Sequence, residues 1–177
     1  MSDAANLGHL PEWDLTDLYA GPDDKALESD LKAVDGQAEQ FEKDFKGNLS
    51  TLSPAGFHET IGRYEAIDDT LGRIASYSQL LFAGDQTNPD FAQFYQDIQE
   101  RLTVTTSRLI FFTLEINKIE DAAMKTLLAD SAVARYQPWL DDIRSFRPHQ
   151  LSDDAEAMLH ELSVVRGQSW SRLFDQT

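Results

Sequence analysis

Cysteine is absent from the sequence, which excludes disulfides, thiolate metal sites and a cysteine nucleophile. The absence fits a reducing compartment. Basic side chains are scarce, with 15 Lys and Arg against 31 Asp and Glu and a formal net charge of −16. Such a surface repels phosphate backbones and anionic lipid, so neither nucleic acid nor membrane is expected as a partner. Residues 1–47 hold twelve acids and four bases, which is half of the excess. Its plain reading is a solvated face that aids solubility, and its sharper reading is a wall that attracts basic ligands. Long apolar runs are missing too. Leu80-Leu81-Phe82-Ala83 and Leu109-Ile110-Phe111-Phe112 fall far short of the ~20 residues a bilayer demands. Residues 1–20 carry Glu12, Asp14 and Asp17 and no basic start, so no secretory leader is read there and a cytoplasmic location is expected. There is no useful β-alternation, no repeat of 20–50 residues, no glycine-rich phosphate loop and no Gly-x-Ser-x-Gly elbow.

What is present is helical periodicity. The chain has 177 residues, 41% of them hydrophobic, enough for a real core. After Pro22, Asp23 and Asp24, which suit a first helical turn, Leu27, Leu31, Val34, Ala38, Phe41 and Phe45 recur at spacings of 4, 3, 4, 3 and 4. That is one apolar stripe on a helix of about six turns, stopped by Gly47. Ser53-Pro54 and Asn88-Pro89 are further cap-plus-proline starts. The second helix carries Gly62 and Gly72 inside its pattern, which calls for a close helix contact or a break near Asp68-Asp69. The third stripe runs from Phe91 to Ile116 as one helix of about 28 residues. Shorter helices are read over 121–128 and 136–146. Ser152 caps another through about Val165, ended by Gly167. In the opening, Asp14 caps a single turn, and Trp13, Leu15, Leu18 and Tyr19 clip the strip onto a helix face. The fold class is therefore all-α, a bundle of about six to seven amphipathic helices without a sheet.

Residues that suggest chemistry mostly have structural explanations. His160-Glu161-Leu162-Ser163-Val164 starts like a helical zinc-peptidase motif. That motif needs a second histidine four residues on, so that both rings face one ion. Val164 stands there and cannot ligate. His9, His58, His149 and His160 include no pair at i+3 or i+4, so no preformed metal site is expected. The acid pairs Asp23-Asp24, Asp68-Asp69, Asp141-Asp142 and Asp153-Asp154 point about 100° apart on a helix, which does not make a shared acid/base site. Two of them suit helix starts. The catalytic and metal residues expected of this chain are therefore none, and no substrate-binding residue can be named.

Three stretches resemble a known family. Leu10-Pro11-Glu12-Trp13-Asp14-Leu15-Thr16-Asp17-Leu18-Tyr19, Tyr77-Ser78-Gln79-Leu80-Leu81-Phe82-Ala83-Gly84-Asp85 and Arg147-Pro148-His149-Gln150-Leu151-Ser152, followed by Glu156, are similar in order and spacing to the N-terminal part of oligoendopeptidase F-type zinc peptidases. The resemblance implies an all-helical cytoplasmic enzyme that cuts short peptides in an internal channel. It implies zinc on a His-Glu-x-x-His helix lying beyond the part matched here. This chain is then expected to hold no cofactor itself, and zinc belongs to the full-length parent. Its expected partners are the parent's catalytic domain and, through it, oligopeptides. The expected organisation is an N-terminal strip at 1–21, a helical bundle acting as wall or lid at 22–146, and the start of the next helical region, truncated, at 147–177. The alternative is a self-contained acidic helical module that binds a protein partner.

Overall fold

The computed structural model describes residues 13–167, 170, 173 and 174. Within them the order is α1 (Lys25–Phe45), a 3₁₀ turn (Leu49–Thr51), α2 (Pro54–Gly84), α3 (Pro89–Ser107), α4 (Ile110–Lys118), α5 (Asp121–Leu128), α6 (Ser131–Ala134), α7 (Gln137–Ser145), a 3₁₀ turn (Arg147–His149), α8 (Asp153–Glu161) and a last 3₁₀ turn (Leu162–Val165). No strand occurs among the described residues, and the all-α expectation holds.

The helices begin where polar side chains replace missing backbone partners. Ser53 accepts from the Gly56 N–H ahead of Pro54, and Asn88 accepts from Asp90 and Phe91 ahead of Pro89. α1 begins later than its sequence suggests. Asp24 is its cap, accepting from the Ala26 N–H, and Pro22 and Asp23 precede the helix. The cause lies in the approach: the Asp24 carboxylate also takes the Ala20 N–H at 2.9 Å, fixing the chain just before the turn. Gly47 follows α1 at φ +83°, a region that costs a residue with a Cβ roughly 1–2 kcal/mol. Its N–H donates to Glu115 Oε1 at 2.6 Å, which ties this turn to α4.

Two further expectations fail. The long third helix is broken into α3 and α4 at Arg108-Leu109. Thr103, Thr106 and Ser107 donate their hydroxyls to the carbonyls of Gln99, Leu102 and Thr103. Such back-bonding competes for helix acceptors and bends the axis. The Arg108 and Leu109 N–H groups then bond three residues back, to Thr105 and Thr106. The second failure is the glycine pair. α2 runs unbroken past Gly62 and Gly72, and a Cβ at either would meet nothing within 4 Å. Neither a break nor a tight contact accounts for them.

α2 is the spine, with α1 and α3 packed along it and α5 and α6 also against it. The core runs from Tyr19 to Leu140. At its centre, fully buried Phe41 meets Phe112 edge-on at 5.3 Å and Phe111 at 5.7 Å, while Tyr64 packs on Phe112 at 4.6 Å. The opening strip is held by Tyr19, which packs edge-on against Tyr77 and donates to Asp30 at 2.8 Å. Leu15 and Leu18 are partly buried beside it. Trp13 departs from expectation: 69% of it is exposed. Asp14 accepts both the N–H and the hydroxyl of Thr16, making a local turn without a helix. Residues 1–12 of the expected strip lie outside the described residues.

Candidate functional site

The residues singled out for chemistry are dispersed. His58 lies on α2 beside the Tyr136 ring, at 5.9 Å between centroids. His149 is exposed in the 3₁₀ turn after α7. His160 Nε2 lies 2.9 Å from Thr106 Oγ1, which joins α8 to α3. His9 lies outside the described residues. No three His, Asp or Glu side chains among the described residues are grouped so as to hold a metal ion. Of the acid pairs, Asp24 is spent on capping and Asp153 binds Lys118 Nζ at 2.6 Å, while Asp68, Asp69, Asp141 and Asp142 face solvent.

A different feature emerges at the C-terminal end of the bundle. α8 crosses α3 and α4 and is tied down by polar contacts. Ser152 caps it through the Ala155 N–H. Glu156 Oε1 accepts the Leu151 N–H at 2.8 Å, and Gln150 reaches the Leu114 carbonyl at 3.4 Å. Arg147 binds Asp121 at 2.7 Å. The Arg147-to-Ser152 stretch is thus a joint that seats α8. Beside it, Arg144 closes the end of α4, donating from Nη1 to the Ile116 and Ile119 carbonyls at 2.9 and 2.8 Å and from Nη2 to Asp121. Those two arginines hold the Asp121 carboxyl below its usual range, Arg144 first.

Between α4, α7 and α8 lies an open cleft of about 480 Å³ walled by Leu114, Ile143, Phe146, Leu151 and Leu159. At its floor is Asn117, 7% exposed, whose Oδ1 has no hydrogen-bond partner. A buried carbonyl without a donor costs ~1–3 kcal/mol. Two large apolar side chains of the cleft stand open, Phe146 at 61% and Leu151 at 52% exposed, and Met158 on α8 and Val165 in the turn after it are 57% and 65% exposed. Met158, Leu162 and Val165 recur at helical spacing along one stripe. No described residue beyond Leu140 is fully buried. In the final expected segment, 168–177, only Trp170, Leu173 and Phe174 are described, and all three are exposed. The helical path from Ser152 ends at Val165, where Arg166 leaves the helical region just before Gly167; the Trp170 N–H reaches back to the Arg166 carbonyl. No local pattern marks Asn117 or Arg144, since both matter only through residues distant along the chain.

The comparisons with known proteins take in this region. A family model described as Oligopeptidase F matches residues 115–177. Oligopeptidase PepF of Bacillus subtilis is 28% identical over 162 residues, covering 89% of this chain and 23% of that protein. The Oligoendopeptidase F homolog of Borreliella burgdorferi is 23% identical over 148 residues, covering 84% of this chain and 24% of that protein. The chain matches the N-terminal region of oligoendopeptidase F-type peptidases. It spans about a quarter of the length of the curated relatives it matches. No solved structure matches it. The oligoendopeptidase F match takes in Asn117, Arg144, the joint at 147–152 and the whole of α8.

Proposed function

We propose that this chain is the N-terminal helical domain of a cytoplasmic oligoendopeptidase F-like zinc endopeptidase, and that it shapes the channel through which short peptides reach a catalytic region elsewhere in the parent. The observation that carries the reading is the alignment of 89% of this chain to less than a quarter of a peptidase. Residues 22–146 are the wall, residues 1–21 the strip that clips to it, and residues 147–177 the start of the next helical region. A core that runs from Tyr19 to Leu140, with nothing fully buried after it among the described residues, supports that division. The role is steric and electrostatic: a rigid acidic wall excludes folded proteins and favours basic peptides.

The test compares two proteins. One is this chain alone, and the other is this chain joined ahead of the remaining sequence of the Bacillus subtilis relative. Quenched-peptide cleavage and zinc content are measured on both. The joined protein is expected to bind about one zinc and to cleave short peptides in a chelator-sensitive way, and the isolated chain to do neither. Stoichiometric zinc with turnover in the isolated chain overturns the reading, as does a joined protein that folds, holds zinc and cleaves nothing.

A further inference from the structure

Two of the three stretches that resemble the peptidase family, residues 10–19 and 77–85, contribute to one pocket. Trp13 and Leu15 come from the first, Leu80, Leu81 and Asp85 from the second, and Phe91 from the start of α3, and together they line an open space of about 460 Å³. Its walls are anchored. Tyr19 holds the opening strip through its ring contact with Tyr77 and its hydrogen bond to Asp30, and Asn88 caps the start of α3. Leu15, Leu80, Leu81 and Phe91 are half-buried, whereas Trp13 is 69% exposed. An indole left in water beside an apolar pocket is a large surface for a ligand to cover.

The charge of this region has one sign. The two stretches hold Glu12, Asp14, Asp17 and Asp85 and no base. Asp85 is part of the pocket lining, and its Oδ1 accepts the Thr87 N–H at 3.0 Å and the Thr87 hydroxyl at 2.6 Å. Asp14, beside Trp13 in the chain, accepts the same pair of donors from Thr16. Those donors, the hydroxyl first, hold both carboxyls below their ordinary range, so each is ionised in neutral solution. An apolar wall ending in an aromatic ring and a fixed anion is divided as a long basic side chain is, apolar along its stem and charged at its tip. A guanidinium or ammonium is attracted to the face of tryptophan as well as to a carboxylate. A second copy of the chain suits the pocket less well, since it too carries a net charge of −16.

We propose that this pocket binds the side chain of an arginine or lysine in an oligopeptide, its stem against Leu15, Leu80 and Leu81 and its charged end between the Trp13 ring and the Asp85 carboxylate. The ligand class rests on the functional reading above, and the pocket adds a place on the wall that selects for a basic side chain.

The test uses this chain alone and no cleavage, so its outcome is separate from that of the joined protein. Acetyl-Leu-Arg-Leu-amide is titrated into isotope-labelled protein, and NMR follows the indole N–H of Trp13 and the amides of Leu80, Leu81 and Asp85. A second peptide with citrulline for arginine keeps the shape and lacks the charge. The arginine peptide is expected to shift these signals with a Kd of about 1 mM and to bind about fivefold more tightly than the citrulline one. Trp13→Ala and Asp85→Asn should each weaken it about threefold. Asp69→Asn, at an exposed acid about four turns back along α2, should leave it unchanged. Asparagine at position 85 still accepts from Thr87, and unchanged thermal midpoints show that the variants keep the fold. The proposal is overturned if these signals do not move at millimolar peptide, if citrulline binds as well as arginine, or if Asp69→Asn weakens binding as much as Asp85→Asn. It is also overturned if the chain self-associates through this pocket in sedimentation, or if the peptide binds only after residues 1–12 are removed, which would make the chain's own start the occupant. Cleavage by the joined protein without this binding removes the pocket and leaves the function standing.

Discussion

Arg144 is placed where α4 ends, α5 begins and α7 passes over both. Its side chain is only 11% exposed, so its charge needs partners within the protein. It finds two backbone carbonyls, those of Ile116 and Ile119, and the Asp121 carboxylate. The carbonyls lie at a helix end, that of Ile116 also taking the Ile119 N–H, and a forked guanidinium suits such a pair better than a point-like ammonium. Arg144→Met removes both contacts, although the Ile116 carbonyl keeps the Ile119 N–H, and hydrogen bonds to a charged group contribute ~1.5–3 kcal/mol each. The expected loss in urea denaturation is about 3 kcal/mol, with Arg144→Lys recovering only part of it. Arg147 shares the same aspartate but is 35% exposed, against a carboxylate 87% exposed. Solvent screens that contact, so Arg147→Ala is expected to change the midpoint little. Equal effects from the two arginines would refute the helix-end role given to Arg144.

Gly62 and Gly72 set the corresponding question for α2. Both lie inside a helix of 31 residues with open space where a Cβ would go, and neither has a positive φ. Alanine should therefore recover helix propensity and lower the entropy of the unfolded chain, about 0.5–1 kcal/mol at each site. A Gly62→Ala/Gly72→Ala double variant is expected to melt several degrees higher in a thermal scan. A lower melting temperature would mean that these positions face something absent from the described residues. Starts marked by local chemistry, Ser53-Pro54, Asn88-Pro89 and Ser152, were legible in the sequence because each cap acts within three residues. At the start of α1, Pro22 and Asp23 suit a first turn as well as Asp24 does, and the Ala20 contact that selects Asp24 is not visible in residue types alone. The break after Ser107 was hidden because the apolar period continues across it from Leu102 to Leu109 and Phe112. Only the cluster of hydroxyls at 103–107 marks it. The four-residue α6, capped by Asp130, is too short to show a period. The site was the least legible part. That Asn117 is buried without a partner depends on how α7 and α8 fold back over α4, which no local pattern encodes.

At the scale of the whole molecule, two electrostatic effects oppose each other as pH falls. Self-repulsion from a net charge of −16 eases as carboxylates take up protons, which favours the compact state. Acting against it, many of the same carboxylates are bound in the fold and sit below their usual range. Asp24 is lowered by the Ala20 and Ala26 N–H groups, Glu28 by Arg101 and then Lys32, Asp44 by Arg63 and then Gln40, and Asp121 by Arg144 and Arg147. A carboxyl held low in the folded state contributes stability above its unfolded value and loses it as pH falls through the folded one, because the unfolded chain binds the proton first. Few carboxylates take up protons between pH 7 and about 5; below about 4.5 the free ones relieve repulsion while the bound ones cost stability, and the bound ones, which the folded state holds low, are expected to decide the outcome. The urea midpoint should therefore hold or rise slightly down to about pH 5 and fall steeply below about pH 4. Replacing Asp24 and Asp121 by asparagine should flatten that fall, because two of the groups responsible no longer titrate. A midpoint that kept climbing to pH 3 would mean that self-repulsion outweighs the capped and paired carboxylates, and that these contacts contribute little to holding the bundle together.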